Sequence, residues 1–146
     1  MTKEDKQLLI KDLSARLPYG VIVQYPNIFL PSEIINDRLR EIEYSLIGID
    51  EYSTNINGEG IEIEYVKPYL RPLSSINVEE KCKIGAIIGN GFEYKENELV
   101  VYREDVIKLS FQKIHELMEF LYQHHIDINN LIPMGLAIEA PEGMYL

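Results

Sequence analysis

Residues 61–66 read IEIEYV. In an extended chain this alternation puts Ile61, Ile63 and Tyr65 on one face and Glu62 and Glu64 on the other, the pattern of a strand with one face buried. Upstream, LREIEYSLIGI at 39–49 alternates less cleanly: Leu39, Glu41 and Glu43 fall on one side and Arg40, Ile42, Tyr44 and Leu46 on the other, before the period blurs at Ile47. Asn57-Gly58 lies between the two runs and has the chemistry of a tight turn. The economical prediction is an antiparallel hairpin over about 39–66 with a long, acidic tip.

Working outward, helices flank this sheet. Over 3–16, Thr2 can cap a helix, Glu4 and Asp5 suit its first turn, and Leu9, Leu13 and Leu17 recur as an apolar stripe. LPYG at 17–20 stops it and releases the chain into VIVQY, a strand near 20–25. KPYLRPLSS at 67–75 carries Pro68 and Pro72, which argue for an extended edge or crossing segment and against a central strand. Asn77 with Glu80 forms a capping-box signature for a helix to about 88, closed by GNG at 89–91. A short strand follows near 98–102, and the longest helix runs from about 104 or 110 to 125.

The order of elements predicts an α+β fold. A small antiparallel sheet (the hairpin plus the strands near 20–25 and 98–102) packs on an N-terminal, a middle and a long C-terminal helix. With 146 residues, 46% hydrophobic and 26% charged, one globular domain over 1–146 is expected.

Charge narrows the function classes. The formal net charge is −10, residues 41–66 hold seven carboxylates (Glu41, Glu43, Asp50, Glu51, Glu59, Glu62, Glu64) without a Lys or Arg, and nothing after Lys113 is basic. Nucleic-acid affinity rests on cations that neutralise phosphates, so no nucleic acid is expected as partner. The same field repels anionic membrane surfaces, and no apolar run approaches the roughly 20 residues a span requires. Cys82 is the single cysteine and the start, MTKEDKQLLIKDL, has no apolar leader segment, so a cytoplasmic location is expected.

YQHHIDINN at 122–130 is the one cluster that invites chemistry. At about 100° per residue, Ile107, Phe111, Ile114, Met118, Leu121 and His125 fall within roughly 40° of one line, which makes His125 the last member of an apolar stripe. His124 is turned away from it and His115 lies nearly opposite His124, so one helix cannot gather the three rings. A histidine closing a helix, its polar tip on a backbone carbonyl, is the simplest reading. The alternative is a metal-dependent or acid–base enzyme using His124, His125 and Asp127 with a further ligand from elsewhere.

Other motifs fail on their own terms. HELME at 115–119 has Glu119 where a zinc protease needs its second histidine. STNINGEGIEIE at 53–64 fits a calcium loop poorly, with Ser53 at the first ligand position. Cys82 has no base near it in sequence, and no nucleophile elbow, P-loop or dinucleotide glycine pattern occurs. No cofactor is expected. Tyr65, Tyr69 and Arg71, set among two prolines, combine rigid rings and a guanidinium in the mixture enriched at binding hot spots, and form the candidate binding segment.

LPYGV (17–21), VKPYLRPLSS (66–75) with Glu79-Glu80, and HHIDINNLIPMGLAIEAPEGMY (124–145) together resemble a family of small uncharacterised proteins encoded by gut-dwelling anaerobic bacteria and their phages or mobile elements. The matching segments cover about a quarter of the chain. The resemblance implies a phage or mobile-element setting and carries over no functional residue. The functional expectation is therefore an acidic, non-enzymatic accessory module that binds another protein. The acidic run 41–64 is compatible with a basic partner and, in a narrower version, with mimicry of DNA.

Overall fold

Thr2 opens the first helix, α1 (Lys3–Arg16), through a reciprocal cap. Its hydroxyl accepts the Asp5 N–H at 3.1 Å while the Asp5 carboxylate accepts the Thr2 N–H at 2.9 Å. The computed structural model describes residues 1–27, 29–30, 32–39, 45–46, 52–56, 59–89, 92–95, 98–101 and 110–145. Leu9 and Leu13 are fully buried on the inner face of α1, as their spacing predicts. Asp12 and Arg16 share that face and are buried with them.

A single 3-10 turn at Leu17–Tyr19 ends in Gly20 at φ 66°, a left-handed conformation that favours glycine. A Cβ there would also sit 3.2 Å from Nη1 of Arg38, which donates to the Gly20 carbonyl at 2.9 Å. The chain then forms a hairpin, β1 (Ile22–Pro26) and β2 (Ile34–Arg38), with Val23 and Tyr25 turned inward.

The region predicted as one hairpin over 39–66 is partitioned differently. β3 (Ser45–Leu46), β4 (Tyr52–Ile56) and β5 (Glu59–Glu62) make a separate three-stranded sheet, and the tight hairpin is β4–β5. Its register pairs Ile56 with Glu59, spacing that a two-residue connection satisfies; Asn57-Gly58 itself, like Arg40–Tyr44 and Ile47–Glu51, lies outside the described residues. The alternation at 61–66 also breaks. Ile63–Tyr65 form a 3-10 turn, so Ile63 and Val66 are both buried and Tyr65 is exposed.

β6 (Lys67–Leu70) is the larger departure, because it lies inside the main sheet despite Pro68. The Val21–Leu39 and Asn27–Glu33 positions are joined by hydrogen bonds, so by antiparallel alternation Val23 also turns its polar groups toward β2. Val23 opposite Pro68 is then a non-bonded pair on the β6 side. The proline nitrogen faces the other way, where pairing begins only at Tyr69. A missing donor costs nothing in that position.

After a 3-10 turn at Leu73–Ser75, Asn77 and Glu80 close the expected capping box on α2 (Val78–Ile88). β7 (Phe92–Lys95) and β8 (Glu98–Val101) form their own hairpin, so the strand near 98–102 does not join the main sheet. Ser110 caps α3 (Phe111–Gln123), and β9 (Ile138–Glu139) completes a four-stranded sheet of order β2-β1-β6-β9. The expected antiparallel sheet is mixed at this end, since β6 and β9 run parallel. The architecture is α+β, with three helices on small sheets. No helix of the described residues is long and apolar enough to cross a membrane.

Two apolar clusters hold these parts. One joins α1, β1, the Ile56–Val66 segment, Leu70 and Leu131–Ala137; the other joins Leu73, Ile76, Ile84, Ile88, Leu121 and Ile126 between α2 and α3. The long stripe predicted for α3 is buried only toward its end: Leu121 is inside, whereas Phe111 and Ile114 are exposed. Ile107 lies outside the described residues.

Candidate functional site

The helix stops at Gln123, and the histidine pair makes the stop. His124 is the cap residue. Its Nδ1 lies 2.8 Å from the Phe120 carbonyl oxygen, which fixes the ring proton on Nδ1, and its ring stacks on Phe120 at 4.1 Å. His125 is not helical: it takes φ 56°, a left-handed conformation disfavoured by about 1–2 kcal/mol for an ordinary L-residue. Burial and pairing hold it there. Only 3% of its surface is exposed, its ring stacks on Tyr145 with centroids 3.9 Å apart, and its carbonyl accepts the Arg71 N–H at 2.8 Å.

His125 is thus inward as its sequence position suggests, but for another reason. The turn buries it against Tyr145; the helix does not continue through it. Burial depresses its pKa to about 4, helped by the Arg16, Arg38 and His124 charges and opposed by a hydrogen bond to the Tyr19 backbone. Its Nδ1 is buried without a partner, which leaves Nε2 as the nitrogen facing Tyr19.

Asp127 is equally occupied. Its two oxygens accept the Leu131 and Ile132 N–H groups, each at 2.9 Å, so the carboxylate caps the following turn. The Asp127 N–H in turn donates to the Arg71 carbonyl at 2.8 Å. His124, His125 and Asp127 are sequence neighbours set to three separate tasks. Among the described residues no three His, Cys, Asp or Glu side chains are gathered as a metal ion would need.

The proposed binding trio is also dispersed. Tyr65 is exposed, but Tyr69 is buried, its hydroxyl donating to Asn36 Oδ1 at 3.2 Å and accepting from Gln24 at 3.1 Å. Arg71 is a clamp. It makes a bidentate pair with Glu80 at 2.7 and 2.9 Å and reaches the Ser75 carbonyl at 3.0 Å, tying β6 to the start of α2. The Arg71 contact lowers the Glu80 pKa against the opposing effect of burial, with the Asn77 N–H adding to it. This pairing contributes stability above pH 4.5 that fades as pH falls through the lowered value.

Around this joint opens a cleft of about 980 Å³, walled by Tyr19, Arg38, Arg71, His124, Glu139 and Tyr145 among others. Its charges are mixed, Arg38 and Arg71 with Glu80, Glu139 and Glu142. Among the described residues that line the cleft, Ser75 has its hydroxyl committed to the Pro72 carbonyl at 2.7 Å.

The buried face of α1 carries a polar cluster that sequence reading missed. Arg16 and Asp12 form a bidentate pair at 2.7 and 3.0 Å with 0% exposure of either side chain. Arg16 also donates to the Ile126 carbonyl at 2.8 Å and sits 4.9 Å from the centre of the Tyr122 ring, while Asn129 donates to Asp12 at 2.8 Å. Comparison with protein-family models, curated proteins and solved structures returns no match to the chain.

Proposed function

We propose that the chain is a non-enzymatic accessory protein, of phage or mobile-element type, that binds another protein through the connection between β1 and β2. The supporting observation is a set of apolar side chains presented to solvent between β1 and β2 and at the start of β2. Phe29, Leu30 and Ile34 are 76%, 59% and 63% exposed. The Asn27 side-chain oxygen accepts the Phe29 and Leu30 N–H groups at 2.9 and 3.4 Å, and the Asn27 and Glu33 N–H groups donate to Glu33 and Leu30 carbonyls at 2.7 and 2.8 Å. An anchor ordered in advance loses little entropy on docking.

An aromatic and two aliphatic side chains contribute about 1.5–3 kcal/mol each when fully covered. A net charge of −10 favours a partner with a basic surface and speeds encounter with it. The resemblance at 17–21, 66–75 and 124–145 supplies the genetic setting. Tyr65 is available to extend the contact; Tyr69 and Arg71 serve the fold.

The test is a quantitative pull-down from the encoding organism with the wild-type chain and the Phe29→Ser/Leu30→Ser double variant. Because both residues are exposed, the variant should unfold within about 0.5 kcal/mol of wild type. A partner retained by the wild type and weakened at least about tenfold, or 1.4 kcal/mol, by the variant is expected. Equal recovery by both, or no partner above background, contradicts the proposal.

A further inference from the structure

We propose that residues 139–145 are an acid-released strap, latched by the stack of Tyr145 on His125, whose release widens the cleft beneath it. The geometry carries this. The segment is exposed or half-buried throughout and is held at its two ends. At one end the Ala140 N–H donates to the Leu70 carbonyl at 2.7 Å. At the other the Tyr145 hydroxyl donates to the Tyr69 carbonyl at 2.6 Å and accepts the Ile22 N–H at 3.2 Å, bridging β1 and β6 where their ladder stops. Between them lies only a turn closed by Met144 N–H on the Pro141 carbonyl at 3.1 Å. Segments with few buried contacts open first.

The latch depends on an uncharged imidazole. Around the His125 ring stand Arg16 of α1, already paired with Asp12, Arg38 of β2, His124 of the α3 terminus and the phenol of Tyr145, while Tyr19 presents its backbone. The charges that bear on the ring are positive, and Nδ1 has no acceptor. Glu80, Glu139 and Glu142 line the cleft it closes. A proton on Nδ1 would be buried unpaired in the field of the Arg16 and Arg38 charges, and moving the ring out carries the Tyr145 stack with it.

The sign follows from linkage. The closed state holds His125 near pKa 4 and the open state returns it toward 6.5, so closure is unaffected above pH 6.5 and weakens as pH falls from there toward 4. By pH 4 the opening constant has risen about 100-fold over its value at neutral pH, and it approaches about 300-fold only below that.

Hydrogen exchange on the wild-type chain reads this directly, as protection corrected for the intrinsic pH dependence. Between pH 7 and 4.5 the Ala140 and Ile22 amides should lose at least about tenfold of their protection while Leu39, bonded to Val21 in the body of the fold, keeps its own. His125→Phe retains a ring to stack but no proton, and should hold the strap at both pH values. Loss of protection at Ala140 in that variant would assign the effect to Glu80, Glu139 or Glu142 and overturn the proposal. So would parallel loss at Leu39, which means global unfolding, or no loss at all. Should His125→Phe not fold, Tyr145→Ala serves: without its latch partner His125 should titrate near 6.5 and the pH dependence at Ala140 should vanish, and persistence of that dependence refutes the latch.

Discussion

Replacing Arg16 with alanine should destabilise the protein by about 3–5 kcal/mol, a large share of the 5–15 kcal/mol by which domains of this kind are stable. The substitution strips the fully buried Asp12 carboxylate of two charge-assisted hydrogen bonds and leaves it Asn129 as its side-chain donor among the described residues. It also frees the Ile126 carbonyl, which anchors the turn after the histidine pair. Chemical denaturation measures the loss. The double variant Asp12→Leu/Arg16→Met removes both charges at once and should recover most of it, because the penalty comes from an unpaired buried charge more than from the pair's own attraction. A loss below about 1 kcal/mol for the single variant would mean that water reaches the cluster.

The second large effect belongs to Tyr145. Tyr145→Phe preserves the ring on His125 and deletes the hydroxyl that satisfies both the Ile22 N–H and the Tyr69 carbonyl. Leaving two backbone groups without a partner should cost about 2 kcal/mol. Tyr145→Ala removes the stack as well, adding about 0.5–1.5 kcal/mol for the ring pair and more for lost burial, for roughly 4 kcal/mol in all. The order wild type, Phe, Ala in denaturation midpoints is the check. A Phe variant as stable as wild type would show that the hydroxyl bridge carries no weight.

The local signals in the sequence were sound where one short stretch determines the outcome. Thr2 with Asp5 and Asn77 with Glu80 cap helices because each box is complete within four residues. The spacing of Leu9 and Leu13 located the buried face of α1 in the same way. Pairing over distance was less legible. Residues 39–66 have the composition of a hairpin, but which run meets which depends on neighbours: β4 comes between the two runs and pairs with β3 on one side and β5 on the other. Pro68 looked like an edge residue, and only the direction of the Val23 groups shows how a proline fits within the sheet.

Site residues follow the same logic. Asp12 and Arg16 went unread although they stand at i, i+4 on the same face as Leu9 and Leu13, and that spacing was the signal that could have found the buried pair. Tyr145 had no such signal, since its partners lie 123 and 76 residues away. For His125, helical periodicity gave the right side of the chain by a wrong route: the residue leaves the helix at φ 56° and is buried by the turn that ends it.

The account depends on the second imidazole being a neutral part of the scaffold. An NMR titration of the His125 ring measures that most directly, reporting tautomer and midpoint together. A midpoint near pH 4, with the neutral ring carrying its proton on Nε2 toward Tyr19, is the predicted result. A midpoint near 6.5, or joint shifts of the His124 and His125 rings on adding zinc, would contradict it and make the pair reactive equipment after all.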